Sequence, residues 1–364
     1  MTEYSNSKPI ADIWPCLMQP DLAGRPDNAD AFQAAISRLA KLVSPLLADY
    51  LLAPLAARMG RQLVDPQAVA NNRIAARFAL AQQRKWVIFL ASSGIEVAFI
   101  KGFANAHLYY PDPVLRMQGD LDILVRKPDL SPLIELLAHE GFSFRSAPLK
   151  RWGLISDASF MPFVSGDGAC NIDIHIQPDC YPAHRSLSVD RLFRKAGRIA
   201  IDNISVAVPS PEHVLILCVT NAAKDKFDLL CLRKMIDAIV ALRSGPTVDW
   251  DEIVGIARDG GFLLPMRVFF AILIALGMKS DCLPPVLRAP LTRLRRGALD
   301  RVVEQVRLLF PVAPPLATLF WREAVLCAEP PVALHNCLLR ARGLIRPARG
   351  IPEGAPVEGQ LTHP

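Results

Sequence analysis

Asp120 and Asp122 stand one residue apart at the head of "MQGDLDILVRKP", residues 117–128. The apolar run that they enter reads as a strand, and strand interiors are depleted in Asp, so the pair calls for a reason. Side chains alternate faces along a strand, which puts both carboxylates on one side and Leu121 and Ile123 on the other. Like charges held that close repel, and the arrangement becomes favourable when a divalent cation lies between them. A second segment, "NIDIHI" at 171–176, has Ile172, Ile174 and Ile176 on one face and Asn171, Asp173 and His175 on the opposite one. If the two strands are neighbours, three carboxylates converge. Such a set can hold one or two Mg²⁺ ions, which clamp a nucleotide's phosphates and lower the pKa of an attacking hydroxyl. Asp120, Asp122 and Asp173 are therefore the expected metal ligands, with Asp173 as third ligand or as base toward the acceptor. His175 shares the face, but a structural, hydrogen-bonding histidine accounts for it equally well, and it is not counted as a ligand.

Upstream, "FIKGFANAHLYY" ends a strand at Lys101-Gly102 and opens a helix. Glycine lets backbone approach a phosphate, the helix N-terminus offers free amides, and Lys101 adds a positive charge. Arg116, just before the second strand, is placed to contact phosphate oxygens. Basic residues beside acidic ones also simply balance charge, so the case for Lys101 and Arg116 rests on position. His107 reads as a packing or surface residue. Cys170 and Cys180 flank the third strand with nothing nearby to activate them, and read as structural.

The elements that must position these groups divide by the period of their apolar residues. Residues 1–29 form an N-terminal extension. Residues 30–92 read as helical, broken or kinked at Pro45 and Pro54. From 93 to 208 the order is strand, helix, strand, helix and then further strands, which implies a sheet covered by helices. The helical period returns over 209–345, with helices expected at 211–227, 229–243, 249–259, 263–278 and 316–327. The tail, 346–364, is rich in Pro and Gly and reads as disordered.

With 364 residues, about half of them apolar, the chain is long enough for a substantial core. A net charge of +6, from 41 basic and 35 acidic side chains, falls short of the dense basic clusters of a dedicated nucleic-acid binder. The basic run "RAPLTRLRRGALDRVV" lacks interleaved aromatics and reads as a solvated helix face. Eight cysteines without a Cys-x-x-Cys pair argue against a zinc site or a disulfide framework and fit a reducing cytoplasm. "MTEYSNSKPIADIW" has no signal-peptide pattern, and "FLLPMRVFFAILIALGM" is short for a span and carries Arg267, so no membrane span is expected.

Taken together, Lys101-Gly102, Leu108-Tyr109, Arg116, Asp120-Leu121-Asp122, Gly141-Phe142 and Asp173-Ile174-His175 resemble the uncharacterised nucleotidyltransferase family of the polymerase β-like superfamily. The resemblance covers roughly residues 85–280. The wider superfamily usually carries Gly-Ser, nearer the aspartates, where this chain has Lys-Gly. The resemblance implies an α+β fold: a polymerase β-like core, mixed sheet with helices, flanked by N- and C-terminal helical regions. It also implies Mg²⁺-dependent transfer of a nucleoside monophosphate from a nucleoside triphosphate to an acceptor, which the sequence leaves open among small molecules, peptides and proteins. Asp120, Asp122 and Asp173 would then hold the metal, and Lys101, Gly102 and Arg116 the nucleotide. The alternative is a catalytically degenerate module of the same fold that binds nucleotide or a protein partner.

Overall fold

The computed structural model describes residues 12–19, 28–144 and 162–345. The Pro- and Gly-rich tail lies outside them, as do most of the first 27 residues. Helices precede the sheet. Asn28 caps α2 (Ala29–Val43) by accepting from the Ala31 amide, after a short α1 (Trp14–Met18). Ser44 then ends α2 and caps α3 (Pro45–Met59). Pro45 opens a helix rather than merely breaking one, since its missing N–H is not needed in the first turn. Pro54 sits inside α3, where buried Leu51, Leu52 and Leu55 hold the helix through it. The long α4 (Pro66–Ala91) leads into the sheet.

Among the described residues seven strands follow, in the spatial order β3-β4-β5-β2-β1-β7-β6. They are β1 (Val97–Phe99), β2 (Leu121–Val125), β3 (Ser143–Phe144), β4 (Phe163–Val164), β5 (Asn171–His175), β6 (Gly197–Ile201) and β7 (Ile204–Val208). The sheet is mixed: β1 is antiparallel to β2, while β2 runs parallel to β5 and β1 parallel to β7. Between β1 and β2 lie α5 (Lys101–Tyr109) and a 3-10 turn, Pro113–Arg116; after β2 comes α6 (Leu130–His139).

The alternation read from sequence places the two faces of the sheet in two cores. Val97, Phe99, Leu121, Ile123, Val125, Ile172 and Ile174 pack with α6 and the end of α4. Ala98, Ile100, Leu124 and Ala207 face the larger core, shared by the helices before the sheet and those after it. The latter are α8 (Pro211–Lys224), α9 (Leu232–Ser244), α10 (Trp250–Gly260), α11 (Leu263–Ala275), α12 (Pro285–Arg288) and α13 (Arg293–Arg307), joined by α7 (Val189–Arg194) from between β5 and β6; α14 (Leu316–Arg322) and α15 (Pro330–Ile345) follow, with Val332 and Ala333 of α15 in a small cluster of their own. The N-terminal segment joins the larger core: Trp14 is fully buried and its Nε1 donates to the Val306 carbonyl at 2.8 Å. Among the described residues no helix is long and apolar enough to cross a membrane. The apolar α11 is a buried helix, with Arg267 donating to the carbonyls of Ala289 and Pro290.

Candidate metal and phosphate site

β2 and β5 are neighbours in parallel register, with Asp122 paired to Asp173 and Leu124 to His175. Because facing residues in register share a side of the sheet, the two carboxylates and the imidazole project together. Ligand atoms of Asp122, Asp173 and His175 lie within 4.8 Å of one another. Donors about 2.0–2.2 Å from one ion are at most about 4.4 Å apart, so this spacing suits a single divalent cation after a small adjustment. The group can hold a metal. Sequence reasoning left His175 outside the ligand set, although its place in the alternation with Asp173 was the signal for it. Asp120, half-buried just ahead of β2, lines the same cavity.

Lys101 lies at the heart of this group. Its Nζ donates to Asp122 Oδ1 at 2.6 Å and lies 3.0 Å from His175 Nε2, itself 3.0 Å from the same carboxylate oxygen. Asp173 Oδ2 is 3.8 Å from His175 Nε2. Burial alone would raise the Asp122 pKa, but the Lys101 ammonium and His175 outweigh it and hold the carboxyl well below its usual range. At Asp173 burial and the Asp122 charge beside it outweigh Lys101 and Lys224 and push its pKa up to about 6. Asp120 is raised for the same two reasons. Burial and the Lys101 charge lower His175, whose Nδ1 is buried without a partner. A neutral imidazole can present the Nε2 lone pair either to the Lys101 ammonium or to a metal ion. The two uses exclude each other.

Lys101 and Gly102 open α5, whose N-cap, Ile100, offers no side-chain bond to the first-turn amides. Lys101 takes φ +52°, the left-handed region that a side chain rarely adopts. At Gly102 a Cβ would come within 2.4 Å of Gln118 Oε1, so a side chain there intrudes on the turn before β2.

Arg116 is nearly enclosed. Its Nε donates to Asp237 Oδ1 at 2.8 Å and its Nη2 to Oδ2 at 2.9 Å. Asp237, on α9, also accepts from Tyr110 Oη at 2.8 Å and Asn105 Nδ2 at 2.9 Å. Arg116 lines the cavity wall, but all three of its guanidinium nitrogens are engaged within the protein, Nη1 donating to the Met117 carbonyl at 3.3 Å. Asp237 was not found from sequence; one acidic residue on the apolar face of "LRKMIDAIVAL" was the available signal.

These groups border one cavity of about 580 Å³, with the sheet end and α5 on one side and residues of α2, α8 and α9 on the other. The mixed sheet thus presents Asp122, near the start of β2, and Asp173, in the middle of the parallel β5, to a cavity between helical layers. The chain belongs to the uncharacterised nucleotidyltransferase family, whose family model matches residues 34–275, more than half of the chain. No curated protein matches it.

Proposed function

We propose that the protein is a Mg²⁺-dependent nucleotidyltransferase that moves a nucleoside monophosphate from a nucleoside triphosphate to a hydroxyl-bearing acceptor. The observation that carries this reading is the register pairing of Asp122 with Asp173 at one end of a nucleotide-sized cavity, beside the uncapped start of α5. Asp122 and Asp173 would hold the metal, with Asp120 at the rim supplying further oxygen, the donor type that Mg²⁺ prefers. When bound, the ion neutralises phosphate charge and acidifies an attacking hydroxyl.

The chain's own residues carry the rest. The Gly102 turn and the first amides of α5 cradle phosphate oxygens, and Lys101, freed from Asp122, adds its charge there. Arg116 keeps the turn before β2 in place through Asp237. Asp173, whose pKa burial and the Asp122 charge push up to about 6, accepts the acceptor's proton. The helices on either side of the sheet shape the acceptor pocket.

One observation favours the second reading, a degenerate module that binds without turnover: Lys101 already neutralises Asp122. The test is Asp173→Asn, assayed with labelled triphosphates and Mg²⁺ for transfer to the protein itself or to acceptors in a cell extract. Turnover should fall about a hundredfold or more, with triphosphate affinity within a few fold. A wild type that binds triphosphate but transfers to no acceptor supports the degenerate module instead.

A further inference from the structure

The cavity also has a basic side whose role the carboxylates do not explain. Of the cations lining it, Lys101 is matched by Asp122, Arg116 by Asp237, and Lys234 by Asp225. Arg233 and Lys41 line the same cavity and, among the described residues, have no carboxylate within ion-pair distance. Opposite them, Asp120 has no cation at that distance either, and Asp173 reaches only His175, at 3.8 Å. Among the described residues these cations and carboxylates form no ion pairs with one another, although Asp120 lies near enough to Arg233 to act on its charge.

Arg233 is held for a purpose other than pairing. Its Nη2 donates to the carbonyl of Val43, the last residue of α2, at 3.1 Å, which fixes one corner of the guanidinium. Asp237 lies one helical turn further along α9, and its bonds to Arg116, Tyr110 and Asn105 fix the rotation of that helix. Lys41 stands in the last turn of α2, two residues before Val43. Burial and the Arg116 charge disfavour the half-buried Arg233 guanidinium, Asp237 and Asp120 offset this only in part, and an arriving anion would offset more of it.

We propose that Arg233, with Lys41, forms a binding wall for a phosphate-bearing anion, facing the carboxylate end of the cavity. A guanidinium recognises phosphate through paired N–H donors, and the nearby ammonium adds a second charge. The phosphate has two possible sources, the terminal phosphates of the nucleotide or a phosphate carried by the acceptor. Only the choice between them rests on the nucleotidyltransferase reading; the wall itself does not.

The test is titration calorimetry on the full chain with inorganic tripolyphosphate, in metal-free buffer, with melting temperatures recorded for every variant. Arg233→Gln should weaken binding about tenfold or more, the scale of a lost charged hydrogen bond, Lys41→Gln about threefold, and Arg233→Lys to an intermediate degree. Lys41 is exposed, so its variant keeps the test valid should Arg233→Gln disturb the fold. Repeating the titration with saturating ATP separates the sources. Displacement assigns the wall to the nucleotide's own phosphates, and simultaneous binding assigns it to the acceptor. Tripolyphosphate binding that depends on Arg233 in a protein that never binds ATP leaves the wall standing and removes the nucleotidyltransferase reading. Folded Arg233→Gln and Lys41→Gln variants that bind tripolyphosphate as tightly as wild type, or a wild type that does not bind it, overturn the proposal.

Discussion

Arg116 grips Asp237 through two parallel hydrogen bonds, 2.8 and 2.9 Å long, and so ties the turn that enters β2 to the middle of α9. The pair spans 121 residues of sequence and holds the carboxylate and basic sides of the cavity in fixed relation. With Asp237 at 1 % exposure, losing one partner leaves an uncompensated buried charge. Asp237→Asn should therefore cost about 3–5 kcal/mol, whereas Arg116→Met with Asp237→Leu should cost less than the two single changes added together. Urea denaturation of wild type, Asp237→Asn, the two singles Arg116→Met and Asp237→Leu, and their double variant gives both quantities. A cost under about 1 kcal/mol for Asp237→Asn would mean that the pair does not join the two halves.

The two halves of the site differ in how far the sequence reveals them. The face of Asp122 and Asp173 is legible because strand alternation is strict: Ile172 and Ile174 on one side of β5 force Asp173 and His175 onto the other, whereas Asp120 lies ahead of β2 and outside that group. The Lys101-Gly102 boundary is legible because glycine and a change of period mark the end of a strand. Asp237, Arg233 and Lys41 are not. They lie on amphipathic helices, where a charged residue near the apolar face looks the same whether it borders solvent or a cavity, and only the packing of α2 against α9 decides which. Arg116 illustrates the limit: its place before β2 suggests a phosphate contact, while its carboxylate partner comes from a distant helix.

Gly102 tests the phosphate cradle. A side chain here meets the Gln118 amide, whose Nε2 donates to Gln83 Oε1 at 3.1 Å, so that amide must swing away and lose the bond. Gly102→Val should abolish triphosphate binding in equilibrium dialysis while leaving the Mg²⁺-dependent rise in melting temperature in place. Triphosphate affinity equal to that of wild type would move the phosphate site away from α5.

Lys101 is expected to compete with the metal for the same donors. Removing the ammonium in Lys101→Met exposes the charges of Asp122 and Asp173 to each other and releases the His175 Nε2 lone pair. Without divalent cation the variant should be less stable than wild type, since Asp122 loses its partner. Its affinity for Mg²⁺ or Mn²⁺, read from the shift in melting temperature, should rise about tenfold, equivalent to ~1.4 kcal/mol. Unchanged or weaker cation binding would show that Lys101 and the metal do not share a place.

His213 sets an acid limit on stability, away from the site. It is fully buried in the first turn of α8, and among the described residues neither ring nitrogen has a hydrogen-bond partner. Burial pushes its pKa down to about 4, with Glu252 and Glu212 opposing the shift and Arg191 and Lys195 adding to it. The positive end of the helix dipole acts in the same direction as burial. Between about pH 4 and the unfolded value near 6.5 the unfolded chain binds the extra proton, so stability rises with pH across that window and is lost as pH falls through it. The full effect is on the order of 3 kcal/mol, from about 2.5 pKa units at about 1.36 kcal/mol each. His107, also lowered to about 4 by burial, acts in the same window, so the measurement must be a difference. His213→Leu should lose less stability than wild type between pH 7 and pH 4.5 in urea denaturation, with the gap opening below pH 6.5. Parallel loss in the two proteins would mean that His213 does not stay neutral when folded.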